Sequence, residues 1–165
     1  DQNAPRRGCR LPHPLHPRSR MTIIVDASLA VKWFLEEKDS DLADKVLEAH
    51  TGNIVAPPTF AVEVLATLVR EANADKPNAH YMRDAIARLT HLMEDGSILI
   101  HQSSPAQLAR AANLAIDLGH PLKDCLYLAL AMELECDLVT CDARFAAKAR
   151  GVWDGVRVLG ALIIS

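Results

Sequence analysis

From Met21 onward, short β-branched runs alternate with longer segments of helical period, and this alternation constrains the fold more than any other feature of the chain. Ile23, Ile24 and Val25 form a compact strand signal. The following SLAVKWFLEE predicts a helix over 28–37, with apolar residues at 29, 30, 33 and 34 and a hydroxyl at Ser28 able to cap its start. SDLADKVLEAH predicts a second helix stopped by Gly52, and residues 53–56 a second strand. Pro57 and Pro58, tolerated where a missing amide costs least, open the apolar helix TFAVEVLATLVREAN. Pro77 opens the next helix, which runs to Gly96. Residues 97–101 read as a strand, 105–119 as a helix, and the Gly119–Pro121 break separates that helix from LKDCLYLALAMELE. A strand at 137–140, a short helix at 143–150 and a strand at 157–159 complete the order. Helices between successive strands imply crossover connections, hence a mainly parallel sheet covered on both faces. The expected fold is a three-layer α/β sandwich with a mainly parallel central sheet. Whether the helix pair over 58–94 protrudes as a hairpin is left open by the pattern.

With 165 residues, half of them apolar, the chain suits one domain and is too hydrophobic to stay unfolded. No run approaches the roughly 18 consecutive apolar residues of a membrane span. Four cysteines, at 9, 125, 136 and 141, do not make a disulfide framework and favour a reducing, cytoplasmic setting. The net charge of −3 conceals a division: residues 1–20 hold five arginines against one aspartate, so the remaining 145 residues carry −7. That first segment also holds four of the nine prolines and has no helical or strand period. It reads as a basic leader, vector-encoded or translated from upstream, or as a native basic arm. It lacks the apolar centre of a secretory signal, and the folded domain is expected over residues 21–165.

Ligand sites in open α/β sheets lie beyond the carboxyl ends of the strands. The first strand ends in Asp26, with Ser28 just beyond; the strand at 137–140 ends in Thr140, with Asp142 two residues on. Each aspartate alone suits a helix cap or Asx turn, but two acids after two apolar strands suggest a shared purpose. Glu63 sits among Ala61, Val62, Val64 and Leu65, where a carboxylate needs a polar cavity or a partner. Asp124 opens a helix whose continuation is almost wholly apolar, and the helix dipole alone could account for it.

Asp26, Glu63, Asp124 and Asp142 can form one carboxylate cluster, and packed like charges call for a cation. An all-oxygen set suits Mg²⁺ or Mn²⁺. The histidines show no H-E-x-x-H spacing and the cysteines no C-x-x-C, so zinc is not indicated. Neither GxxxxGK[ST] nor GxGxxG is present, which argues against nucleotide-triphosphate and dinucleotide enzymes. A metal held by acids can lower the pKa of water and neutralise a phosphoryl oxygen, so phosphodiester hydrolysis fits. Lys32, Arg70, Lys123, Arg144 and Lys148 lie near the proposed rim in sequence and are the candidate phosphate contacts. A cation-stabilised adaptor and a receiver-type phosphoacceptor are the alternatives, the latter weakened by the absence of D-x-D after the first strand.

At IIVDAS, PTFAVEVLATLV and HPLKDCLYLALAMELECDLVTCDARFA the chain resembles the PIN domains, in particular the short single-domain VapC-like toxins, over about residues 21–160. The resemblance implies an α/β/α sandwich and an Mg²⁺- or Mn²⁺-dependent nuclease. For the toxin subgroup it implies an endoribonuclease that dimerises and is inhibited by a cognate antitoxin. Asp26, Glu63, Asp124 and Asp142 match the family's acidic quartet, and Ser28 and Thr140 its supporting hydroxyl positions. Asp26 and Asp124 would be the firmest metal ligands, with Glu63 and Asp142 binding a second ion or positioning waters.

Overall fold

The computed structural model describes residues 22–162; the basic segment 1–20 lies outside the described residues. Five short strands, β1 (Ile23–Val25), β2 (Ile54–Ala56), β3 (Ile98–Ile100), β4 (Asp137–Thr140) and β5 (Val156–Val158), form one sheet in the order β3-β2-β1-β4-β5. All four pairings are parallel, with Ile24 opposite both Val55 and Leu138. β1 and β2 are buried at every residue, as expected of parallel strands covered on both faces, whose sequences run continuously apolar rather than alternating.

Seven helices, α1 (Ala27–Val31), α2 (Ser40–His50), α3 (Thr59–Ala74), α4 (Ala79–Glu94), α5 (Pro105–Leu118), α6 (Leu122–Glu133) and α7 (Ala143–Ala149), make the expected three-layer α/β/α arrangement. α3 packs along α4 and also against α1, and α5 packs along α6, which in turn meets β1. Phe60, Val64 and Leu68 of α3 and Ala85 and Leu89 of α4 belong to the core, together with Ile24, Leu29, Leu128, Leu138 and Phe145. The helix pair whose placement the sequence left open is thus fastened to the body along its buried stripe.

Three local expectations are corrected. The helix expected over 28–37 ends at Val31. The amides of Lys32, Trp33 and Phe34 donate to carbonyls three residues back, tightening the chain out of α-helical pitch. Trp33, 4% exposed, turns inward and donates its indole N–H to the Ala43 carbonyl at 2.8 Å. The cap of α1 is also Asp26 rather than Ser28, for Asp26 Oδ1 accepts the Leu29 amide at 3.0 Å. Pro77 falls in a 3₁₀ turn (Lys76–Asn78) just ahead of α4 rather than inside it.

The strand order reverses direction beside β1: the chain passes outward through β2 and β3, then returns to β4 on the other flank. Crossovers leaving β1 and β4 diverge, and the sheet opens a crevice at their carboxyl ends. Asp26 follows β1 directly, and Asp142 lies two residues beyond β4.

Candidate metal centre

A cavity of about 390 Å³ occupies this crevice, and Asp26, Glu63, Asp124 and Asp142 all line it. Four elements deliver them. Asp26 is carried by the β1 end and Asp142 by the turn after β4, where its Oδ1 also accepts the Phe145 amide at 2.9 Å as the cap of α7. Asp124 stands in the first turn of α6. Glu63 lies on α3 with Ala66, Thr67 and Arg70, residues spaced to share one helix face, and all four border the cavity. Capping and site placement therefore coincide at Asp26 and Asp142.

Asp26 is the best-held of the four. It is 8% exposed; Ser28 Oγ donates to its Oδ1 at 2.7 Å, and Thr140 Oγ1 donates to its Oδ2. Thr140 is wholly buried and accepts the Asp142 amide at 3.0 Å, so one hydroxyl ties the β1 acid to the β4 acid. Burial pushes the Asp26 carboxyl above the ordinary carboxylate range, against the pull of its Thr140, Ser28 and Leu29 hydrogen bonds, and the nearby Asp124 adds to the rise.

Glu63 is half-buried and also raised, first by desolvation and then by the charges of Asp124 and Asp26, while a hydrogen bond from Tyr127 and the Lys123 charge oppose the rise. The Tyr127 hydroxyl donates to Glu63 Oε1 at 2.9 Å. Its phenol is held strongly protonated by burial and by the adjacent Glu63, so it serves as a fixed donor. The sequence reading passed over Tyr127 inside an apolar run. Its spacing of three from Asp124 on a helix was the available signal, since such residues share a face.

Of the candidate cations, Arg70 and Lys123 line the cavity. Lys32 does not: its Nζ is drawn to the Lys38 carbonyl at 2.8 Å and Glu37 at 3.3 Å, closing the turn after α1. Lys148 donates to the Gly119 carbonyl at 2.9 Å, and Arg144 is exposed on α7 outside the cavity lining. Cys125, Cys136 and Cys141 are free thiols, each pushed up to about 11 chiefly by burial, and are therefore poor nucleophiles and poor metal ligands.

His120 was missed altogether. Its Nε2 lies 2.9 Å from Asp124 Oδ2, and His120, Asp124 and Asp142 each place one possible ligand atom within 4.8 Å of the others. In the sequence it stood only as part of a helix break.

The donor set suits a divalent cation. Carboxylates from four elements converge, two of them are held above their ordinary range, and no lysine or arginine is ion-paired to any of the four among the described residues.

The PIN domain family model matches residues 23–151, and the chain belongs to that family. PIN domains are generally metal-dependent nucleases acting on nucleic acid. Among solved structures, PAE2754 from Pyrobaculum aerophilum superposes with a TM-score of 0.64 at 21% identity, covering 87% of this chain and 93% of that one; at this identity the likeness concerns the fold. No curated protein matches the sequence. Among the described residues no helix is long and apolar enough to cross a membrane.

Proposed function

We propose that this PIN domain is an endoribonuclease dependent on Mg²⁺, with Mn²⁺ as a substitute, and that it is the toxin of a toxin–antitoxin pair. The observation that carries the reading is the gathering of Asp26, Glu63, Asp124 and Asp142 around one cavity whose rim also carries Arg70 and Lys123. Asp26 and Asp124 would hold the cation, with Glu63 and Asp142 completing its surroundings or orienting waters. The cation would supply Lewis acidity toward water and the phosphoryl oxygens.

The chain's own residues do the rest. Thr140, Ser28 and the Leu29 amide fix both oxygens of Asp26 before substrate arrives, so little reorganisation is required at the moment of reaction. Tyr127 holds Glu63 against the cavity wall. Arg70 and Lys123 give an entering strand cationic contacts, which position the backbone without reading sequence. RNA, rather than DNA, follows from the resemblance to short single-domain toxins.

A homodimer and a cognate antitoxin belong to the same proposal. On α3, beside the cavity-lining Ala66 and Arg70, Val62 and Val69 stand exposed, giving an inhibitory partner an apolar footing next to the acids. Cleavage of total RNA by purified protein tests the activity: the wild type is expected to cut with Mg²⁺ or Mn²⁺ and to stop in chelator, and Asp26→Asn to stay inactive throughout. Equal activity in all four conditions would overturn the reading, and cleavage confined to DNA would overturn its RNA specificity.

A further inference from the structure

His120 occupies the turn between α5 and α6 and is held from three sides. Gly119 takes the left-handed conformation, φ 57°, that ends α5, and the His120 amide returns to the Ala115 carbonyl at 3.0 Å. This closes the helix with a glycine-dependent cap. From α7, Lys148 Nζ grips the Gly119 carbonyl at 2.9 Å, and the imidazole stacks on Phe145 with ring centroids 4.6 Å apart and planes 23° from parallel. A ring held this way is aimed rather than free.

It is aimed at carboxylates. Nε2 is buried and sits 2.9 Å from Asp124 Oδ2, yet it completes no hydrogen bond. The approach has the distance of a bond without the alignment one requires. A buried imidazole nitrogen left in that condition is costly unless something else engages it. Two ligands at about 2.1 Å from one ion lie at most about 4.2 Å apart, so donor atoms already within 4.8 Å of one another need only small side-chain movements to share a cation. Asp124 and Asp142 also border the cavity that Asp26 and Glu63 line, whereas His120 does not; the histidine approaches these two acids from outside that lining.

We propose that His120, Asp124 and Asp142 form a second cation position, distinct in donor chemistry from the all-oxygen one at Asp26 and Asp124 with which it shares Asp124, and that its nitrogen donor makes it select a first-row transition ion over Mg²⁺. The proposal rests on the reading of the cavity as a divalent-cation centre and adds to it an unequal pair of positions. Mg²⁺ is bound through oxygens and dehydrates reluctantly. Imidazole adds affinity for transition ions, in the order Mn²⁺, Fe²⁺, Co²⁺, Ni²⁺. An oxygen-only position and a nitrogen-containing one that share acids would therefore fill with different ions.

The test uses Mn²⁺ alone, added to the full-length protein without RNA and examined by pulsed electron paramagnetic resonance. The expected result is a directly coordinated ¹⁴N coupling that becomes a ¹⁵N coupling when only histidine is ¹⁵N-labelled. In His120→Gln this coupling disappears and Mn²⁺ affinity falls by about tenfold or more, while Mg²⁺ affinity changes far less. The labelled wild type carries the test should the variant not fold, because His120 is the histidine grouped with two carboxylates among the described residues. Couplings to oxygen and water alone would overturn the inference, as would a histidine coupling that persists in His120→Gln. If Mn²⁺ binds through oxygen alone and RNA cleavage still requires metal, the proposed function stands and this inference falls. If no divalent ion binds and cleavage is metal-independent, both fall.

Discussion

The carboxyl ends of β1 and β4 differ sharply from those of β2 and β3, although all four strands are short, parallel and part of one sheet. β1 runs into Asp26, and β4 runs into Thr140 and, two residues later, Asp142. β2 runs into Pro57 and Pro58, and β3 through His101 to Ser104, whose hydroxyl accepts the Gln107 amide as the cap of α5. At the second pair two prolines and the Ser104 cap lead into helices, and none of these residues lines the cavity. At the first pair the polar residues both start helices and face a cavity, because the connections from β1 and β4 diverge there. The position of a strand in the sheet, rather than its own sequence, decides whether a polar residue at its end can meet a partner from a neighbouring strand.

Substitutions at the two places are expected to separate accordingly. The largest effect belongs to Asp26→Asn, which should lower metal-dependent RNA cleavage by at least about 100-fold and leave a folded protein by circular dichroism. A variant that retains wild-type rates would show that the β1 end has no special part in the chemistry. Next comes Thr140→Val, which removes the hydroxyl linking Asp26 to the Asp142 amide. Divalent-ion affinity, read by calorimetry, should weaken by about 10-fold to 100-fold, and unchanged affinity would mean that the link between the strands is only structural. At the far pair, Ser104→Ala should cost about 1 kcal/mol of stability in denaturant unfolding, as the loss of a cap does, with cleavage per folded molecule unaltered. A matching loss of activity would dissolve the contrast.

The smallest expected effect concerns Glu63 and has a definite sign. Its carboxyl is raised in the folded protein above the ordinary value of 4.5, so the folded state keeps a proton that the unfolded chain has already lost. Stability of the metal-free protein must then fall as pH rises from about 4.5 through the raised folded value. Glu63→Gln keeps an acceptor for the Tyr127 hydroxyl and removes the charge. In chelator at neutral pH it should melt a few degrees higher than the wild type, with a flatter pH dependence. A lower melting temperature would mean that what the charge gains from the Tyr127 hydroxyl and Lys123 outweighs the desolvation and crowding of the acids.

The strands and helices were legible because their signals are local: runs of Ile and Val, prolines at helix starts, glycines at stops. The early end of α1 was not, since Trp33 and Phe34 continue the helical stripe, and the groups that draw the chain away, the Ala43 carbonyl for the Trp33 indole and the Lys38 carbonyl for Lys32, lie further along the sequence. The acids stood out as charges in apolar surroundings, Glu63 most of all. Tyr127 and His120 carried no such mark. A tyrosine in an apolar run resembles core until Glu63 arrives from α3, and a histidine beside a proline resembles a turn until α7 brings Phe145 beneath it. Lys32 erred in the opposite direction: near the rim in sequence, it is committed to the turn that follows α1.

Binding of a divalent cation by Asp26 and the acids that share its cavity is tested most directly by calorimetric titration of Mg²⁺ into three proteins, wild type, Asp26→Asn and Ser104→Ala. The account expects wild type and Ser104→Ala to bind alike and Asp26→Asn to bind at least about 100-fold more weakly. Equal binding by all three, or none by the wild type, would contradict it.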